Sequence, residues 1–388
     1  MRKKFILVIL CFVAIIFVVY LYNFNVDNYK EKDHFKQNGV IYAITKNGKK
    51  ISSFPSISSY YVKVNCDGAD GKWLYDDWKL SIDNIVSSKI TCNIDFLNQG
   101  SEYYNVVLNN RLTSFIKGLV GTNQGDGKIV SENGYRYEGK NPNNYVLFNN
   151  ELYRIIGVFD QSTHGGEDED LVKIIKDDPI AAPTFGAYKN GRCVSHGFEL
   201  GLASEVIYHY YGSLNTSLDT LCDGNKICNF KGLGLNDNYQ SVIVKANWYL
   251  GDDAGNKSGL TVDEFYNYER GATYKRNGYG GLMYPSDYAY SVLAENCPRT
   301  TTIDAYNTSN CSGKSWLYGK GWEWTIFGES YIYYITGGGR IYATNISNVC
   351  IDELNVRPVF YLNQGVYFVD GDGSRDNPFV VPPYFIVW

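Results

Sequence analysis

The stretch that decides the fold is Asn141–Asp160, NPNNYVLFNNELYRIIGVFD. Tyr145–Phe148 and Leu152–Phe159 are short runs of aromatic, β-branched and aliphatic residues at strand length. Asn149-Asn150 between them tolerates the left-handed backbone that a two-residue hairpin turn demands. Downstream, Leu171-Val172-Lys173-Ile174-Ile175 reads as a further strand of the same sheet. Thr261, followed by Asp263 and Glu264 in the first turn, opens a helix through about Glu269. Near the C-terminus Ile332–Ile335, Arg340–Ala343 and Val356–Leu362 return to strand, with Gly337-Gly338-Gly339 as a turn. No repeat of fixed period occurs.

Upstream, residues 38–98 alternate in hydrophobicity. Val40–Ile44, Tyr60–Cys66, Trp78–Ile82 and Ile90–Phe96 are separated by breakers such as Asp67-Gly68-Ala69-Asp70-Gly71. Period-two patterning of this kind predicts short antiparallel strands in a small β-sandwich. Between Tyr103 and Leu119 the apolar residues Val107, Leu108, Leu112, Phe115, Ile116 and Leu119 fall at helical spacing, and the glycine-rich Gly121–Gly127 follows. Residues 99–133 are therefore expected to form a helical connector to a larger domain over 134–388.

Arg2, Lys3 and Lys4 precede an apolar and aromatic run from Phe5 to Tyr22. Eighteen helical residues span roughly 27 Å, near the hydrocarbon thickness of a bilayer. The basic start orients the N-terminus to the cytoplasm and places the bulk of the chain, after a polar stalk over 23–37, outside the membrane. Leu21–Asn25 lacks the small residues of a cleavage site, so the run is expected to stay as a single-pass signal-anchor. Cys11 within it reads as a membrane-buried thiol.

A net charge of −5 with 20% charged residues argues against a nucleic-acid partner, which calls for a basic excess. Outside the anchor eight cysteines remain, an even set that suits disulfides in an oxidising compartment. Proximity and strand placement pair Cys66 with Cys92, Cys222 with Cys228 and Cys297 with Cys311, leaving Cys193 with Cys350. With four histidines and no CxxC there is little material for zinc.

Taken together, NPNNYVLFNNELYRIIGVFD, GLMYPSDYAY (Gly281–Tyr290), WEWT (Trp322–Thr325), VRPVFYL (Val356–Leu362) and GDGSRDNPFVV (Gly371–Val381) resemble a family of gut-bacterial surface proteins. That family carries a domain of unknown function, similar to the C-type-lectin-like fold of formylglycine-generating enzymes. WKLSIDNIVSSKITCNIDF (Trp78–Phe96) resembles the small β domain placed before it. The resemblance implies an α+β fold, C-type-lectin-like over the C-terminal domain, and no assigned activity. The paired copper-binding cysteines of formylglycine-generating enzymes have no counterpart, since Cys350 stands alone before Arg357-Pro358.

Candidate sites are few. Asp370, Asp372, Ser374 and Asp376 place oxygens at positions one, three, five and seven, the spacing of a calcium loop, but Arg375 replaces the glycine at six and Val381 the glutamate at twelve. A plain hairpin turn is the simpler reading. Glu167–Asp170 reads as a solvated acidic loop. Ser195-His196 and His209 match no catalytic motif. The densest aromatic stretch offers Trp322, Tyr331 and Tyr333 as a sugar-binding platform, with Trp324 as core; Trp322, two residues away on a strand, is expected on the same side. The chain is therefore expected to be a membrane-anchored, non-enzymatic binding or adhesion module for a glycan or protein outside the cell, acting through loops at Gln161–Asp170, Ala181–His196 and Arg270–Gly281. The alternative is a surface enzyme using loop carboxylates on glycans or peptides.

Overall fold

A computed structural model describes residues 36–383, apart from 38–39, 47–48, 56–59, 75–77, 84, 88, 98–108, 166–169, 190–191, 195–206, 208–233, 252–254, 308–310, 329 and 346–348. The chain divides into two compact units, Met1–Val106 and Val107–Trp388.

In the first unit, strands Tyr61–Asp67 and Ile90–Leu97 pair antiparallel, with Cys66 directly opposite Cys92. Those two cysteines form a disulfide. Val40–Lys46 pairs with Ile90–Leu97 in parallel, so the expected all-antiparallel arrangement is corrected. The intervening chain runs out and back before Ile90, which brings the first and last strands together in the same direction. A separate hairpin, Asp70–Leu74 with Lys79–Asp83, completes the unit. Trp73 meets Phe96 edge-on at 5.1 Å, and both are buried with Tyr60, Ile44, Val62, Ile90 and Ile94.

The second unit is built on a nine-stranded sheet. Tyr145–Phe148 and Glu151–Phe159 form the hairpin read from the sequence, with Phe148 opposite Glu151. Asn149 and Asn150 sit at φ of 57° and 55°. Positive φ at both central residues lets the turn match the twist of its strands. Leu171–Lys176 and Val359–Leu362 extend the sheet antiparallel, whereas Phe379–Val380 adds to Tyr145–Phe148 in parallel. The helix Leu112–Gly118 packs into this unit through Leu112 and Ile116, buried with Ile129, Val146 and Val158.

Side-chain alternation splits the core between the two faces of the sheet. Val172, Ile174, Phe360 and Leu362 lie in one cluster, and Leu171, Ile175, Val359 and Tyr361 in the other. Burial on both faces explains why these strands are nearly continuous apolar runs.

The α+β expectation is overturned: 41% of the structure is strand and 14% helix. Among the described residues the longest helix is Val262–Arg270, nine residues with the Thr261 capping box that the sequence announced. Period-two apolar patterning and frequent glycine dominate elsewhere, which leaves short helical turns only. Among the described residues no helix is long and apolar enough to cross a membrane. The expected anchor over residues 5–22 lies outside them.

Candidate functional site

Two features stand out, an exposed aromatic ledge and a buried cluster of charges. The ledge lies on a three-stranded sheet formed by Glu323–Trp324, Tyr331–Ile335 and Ile341–Asn345. Tyr334 pairs with Tyr342 across this sheet, so the two rings share a face. Trp322 stacks on Tyr334 at 5.8 Å and 22°, and Tyr334 meets Tyr342 at 5.5 Å. Trp324 approaches the same Tyr334 ring edge-on at 5.6 Å, so both tryptophans do reach one side. Their burial differs sharply: Trp324 is fully buried, whereas Trp322 is 50% and Tyr342 44% exposed. Gly337 makes room for the outer indole, because a Cβ there would lie 2.9 Å from Trp322 Nε1.

Strand alternation separates the three aromatic residues singled out in the sequence. Tyr333 points away from Trp322, is buried against Phe265 at 4.9 Å, and accepts a hydrogen bond from the Lys257 N–H (2.9 Å). Tyr331, two residues before it, belongs by alternation to the Tyr333 face. The structure instead brings Tyr334 and Tyr342 to Trp322. The signal for this was the Gly337–Gly339 turn, which sets the register that places Tyr342 opposite Tyr334.

The acidic turn is held by its own side chains. Gly371 N–H donates to Asp370 Oδ1 (2.8 Å), Ser374 N–H to Asp372 Oδ1 (2.9 Å) and Asn377 N–H to Ser374 Oγ (3.2 Å). The Ser374 hydrogen bonds hold the Asp372 carboxyl below its usual range. Asp370, Asp372 and Asp376 are exposed. Among the described residues no group of three or more His, Cys, Asp or Glu is placed to hold a metal ion.

Cys297 and Cys311 are joined as expected, and Cys350 is also disulfide-bonded. The side chains of Cys193, Cys222 and Cys228 lie outside the described residues, as do His209, Ser195-His196 and residues 167–169. All three expected loops carry structure, and in the second Ala187–Lys189 pairs antiparallel with Arg192–Val194. Gln161–His164 is a helical turn capped by Asp160, and Tyr274–Gly278 is a strand paired with Ala246–Gly251.

The charge cluster was not legible in the sequence. Lys173, in the middle of a sheet strand and in register with Gly157 and Tyr361, is fully buried. Gly157 permits the close approach of the next strand, since a Cβ there would fall 2.3 Å from the Tyr135 carbonyl oxygen. Lys173 donates to Asp287 Oδ2, Arg136 Nη1 donates to Asp287 Oδ1 (3.2 Å), and the Tyr284 N–H also donates to Oδ2 (3.0 Å). Burial alone would raise the Asp287 carboxyl, but Lys173, Arg136 and Arg270 outweigh it and hold it at about 2. Burial lowers the Lys173 ammonium to about 8, against the pull of Asp287. Nearby, burial raises Glu269 to about 7, although Ser286 donates both its N–H (3.0 Å) and its hydroxyl to that carboxylate. A second network joins Arg299 to Glu132 and Glu138, with Glu138 raised to about 8 by burial. Arg357 forms a bidentate pair with Glu323 (2.6 and 3.0 Å). Each of these buried carboxylates already accepts from a named internal donor, an arrangement suited to holding elements together.

The chain matches no family model, no curated protein and no solved structure.

Proposed function

We propose that this protein is an extracytoplasmic binding protein, anchored in the membrane through residues 5–22, that recognises a carbohydrate on the aromatic ledge. The observation that carries the reading is Trp322: a half-exposed indole, rigidly stacked on Tyr334 and adjoining the exposed Tyr342. A flat, immobilised ring buries the apolar face of a pyranose at little entropic cost. Thr344, two residues beyond Tyr342 on the same strand and therefore on the same face, is only partly covered and lies beside the ring. The disulfides support an oxidising compartment. The resemblance to gut-bacterial surface proteins points to the same setting. Binding is favoured over catalysis because Asp287, Glu269, Glu138 and Glu323 are all engaged by internal donors.

The test is a glycan screen with the purified full chain, followed by calorimetry on the best hit. Trp322→Ala should weaken binding by tenfold or more while lowering the melting temperature by only a few degrees, the cost of its stacking on Tyr334. Binding unaffected by Trp322→Ala and by Tyr342→Ala rejects the ledge. Turnover of a glycan or peptide abolished by one carboxylate substitution rejects a binding-only role.

A further inference from the structure

The ledge makes no use of the buried basic cluster. Arg270 ends the helix Val262–Arg270, and its guanidinium carbon lies over the rings of Tyr284 (4.2 Å), Tyr266 (4.9 Å) and Tyr249 (5.4 Å). Its Nε, Nη1 and Nη2 are all buried, and none has a hydrogen-bond partner. Aromatic rings engage the faces of a guanidinium, whereas its five N–H groups point outward in its plane. The tyrosine enclosure therefore leaves every donor unsatisfied. Buried donors are almost always paired, and an orphaned charged group is among the most destabilising features a core can hold.

Two further polar groups in the same interior share this condition. Arg136 Nη2 and the Tyr361 hydroxyl are buried without partners. Arg136 lies over the Tyr266 ring (5.8 Å) that Arg270 also engages, and Tyr361 stands opposite Lys173 in the sheet. Asp287 accepts from Lys173 and Arg136, and Glu269 from Ser286, so neither carboxylate is a hydrogen-bond partner of Arg270. An anion would answer the open donors.

We propose that Arg270, flanked by Arg136 and Tyr361, binds a small oxyanion, either the carboxylate of an organic ligand or free phosphate, in the plane of its guanidinium fork. Two coplanar oxygens match that fork and leave its contacts with the three tyrosine rings in place. The site lies at the end of a helix, beside the exposed Gly271. It is separate from the aromatic ledge, so Trp322→Ala leaves it intact.

The experiment is thermal unfolding and calorimetry of the full chain with acetate, phosphate and chloride at matched ionic strength. The expected result is a saturable rise in Tm, roughly 5 °C or more at a hundredfold excess over Kd, for acetate or phosphate and not for chloride. The relative Kd of acetate and phosphate identifies the source of the oxyanion. Arg270→Met should abolish the rise, and Arg270→Lys, which keeps the charge and loses the fork, should weaken binding at least tenfold. Absence of an oxyanion-specific rise in the unaltered chain, or its persistence at equal Kd in either variant, overturns the proposal. If Arg270→Met fails to fold, Arg270→Lys decides alone.

Discussion

Replacing Asp287 with alanine removes the one carboxylate shared by two buried cations, Lys173 and Arg136. Both side chains are at most 1% exposed, so water cannot take over its role. Breaking a buried pair from one side destabilises by about 3–5 kcal/mol, because the remaining charge stays desolvated. The lysine can escape by losing its proton. Its ordinary value is 10.5, and holding the amine neutral at pH 7 corresponds to about 5 kcal/mol, which caps its share. Arg136 has no such escape, since a guanidinium keeps its proton in proteins. The loss for Asp287→Ala is therefore expected at the upper end of the range. Lys173→Met is different: methionine fills the lysine stem, and Asp287 keeps Arg136 and the Tyr284 N–H. Its expected loss is under about 2 kcal/mol, because an apolar replacement removes a buried charge together with its desolvation penalty. Urea unfolding at pH 7 with unchanged m-value measures both. The double variant should recover part of the Asp287→Ala loss. A loss below about 1 kcal/mol for Asp287→Ala, or equal losses for the two single variants, would refute the assigned roles.

Three further expectations follow from the same structure. Glu269 titrates at about 7 when folded against 4.5 otherwise, so its contribution is full below 4.5 and lost as pH rises through 7, on the order of 3 kcal/mol; Glu138, at about 8, acts in the same sense. Asp287, lowered from 3.8 to about 2, contributes above 3.8 and loses its contribution as pH falls through 2. Stability measured by urea should thus decline from pH 5 to pH 8, and Glu269→Gln should flatten that slope; an unchanged slope contradicts the burial of Glu269. Opening the Cys66–Cys92 bridge, which spans 26 positions, should destabilise the first unit by roughly 3.5 kcal/mol, and non-reducing peptide mapping should recover Cys66 joined to Cys92 and Cys297 to Cys311. Calcium up to about 1 mM, the range of weak extracellular sites, should leave the melting temperature unchanged, because Asp370 and Asp372 are already occupied by N–H groups of their own turn; a saturable rise lost in Asp372→Asn would establish a cation site there.

What the sequence determined by itself was local. Asn149-Asn150 specified the hairpin, Thr261 with Glu264 specified a helix start, and alternation located the strands, because each rests on neighbours within a few residues. Cys66 and Cys92 could be paired in advance because both lie on strands of one small domain. The direction of Val40–Lys46 against Ile90–Leu97 could not, since hydrophobic alternation is identical in parallel and antiparallel pairing. The lysine in Leu171–Ile175 gave a hint, a single charge inside an apolar run, yet its counter-ion lies 114 positions away on another element. Likewise Arg270 acquired its tyrosine enclosure from its own helix, a strand and the segment leading into the next helix. Side chains that meet across the sheet are set by packing and by desolvation of charge, and these depend on which distant segments share an interior. No spacing along the chain encodes that.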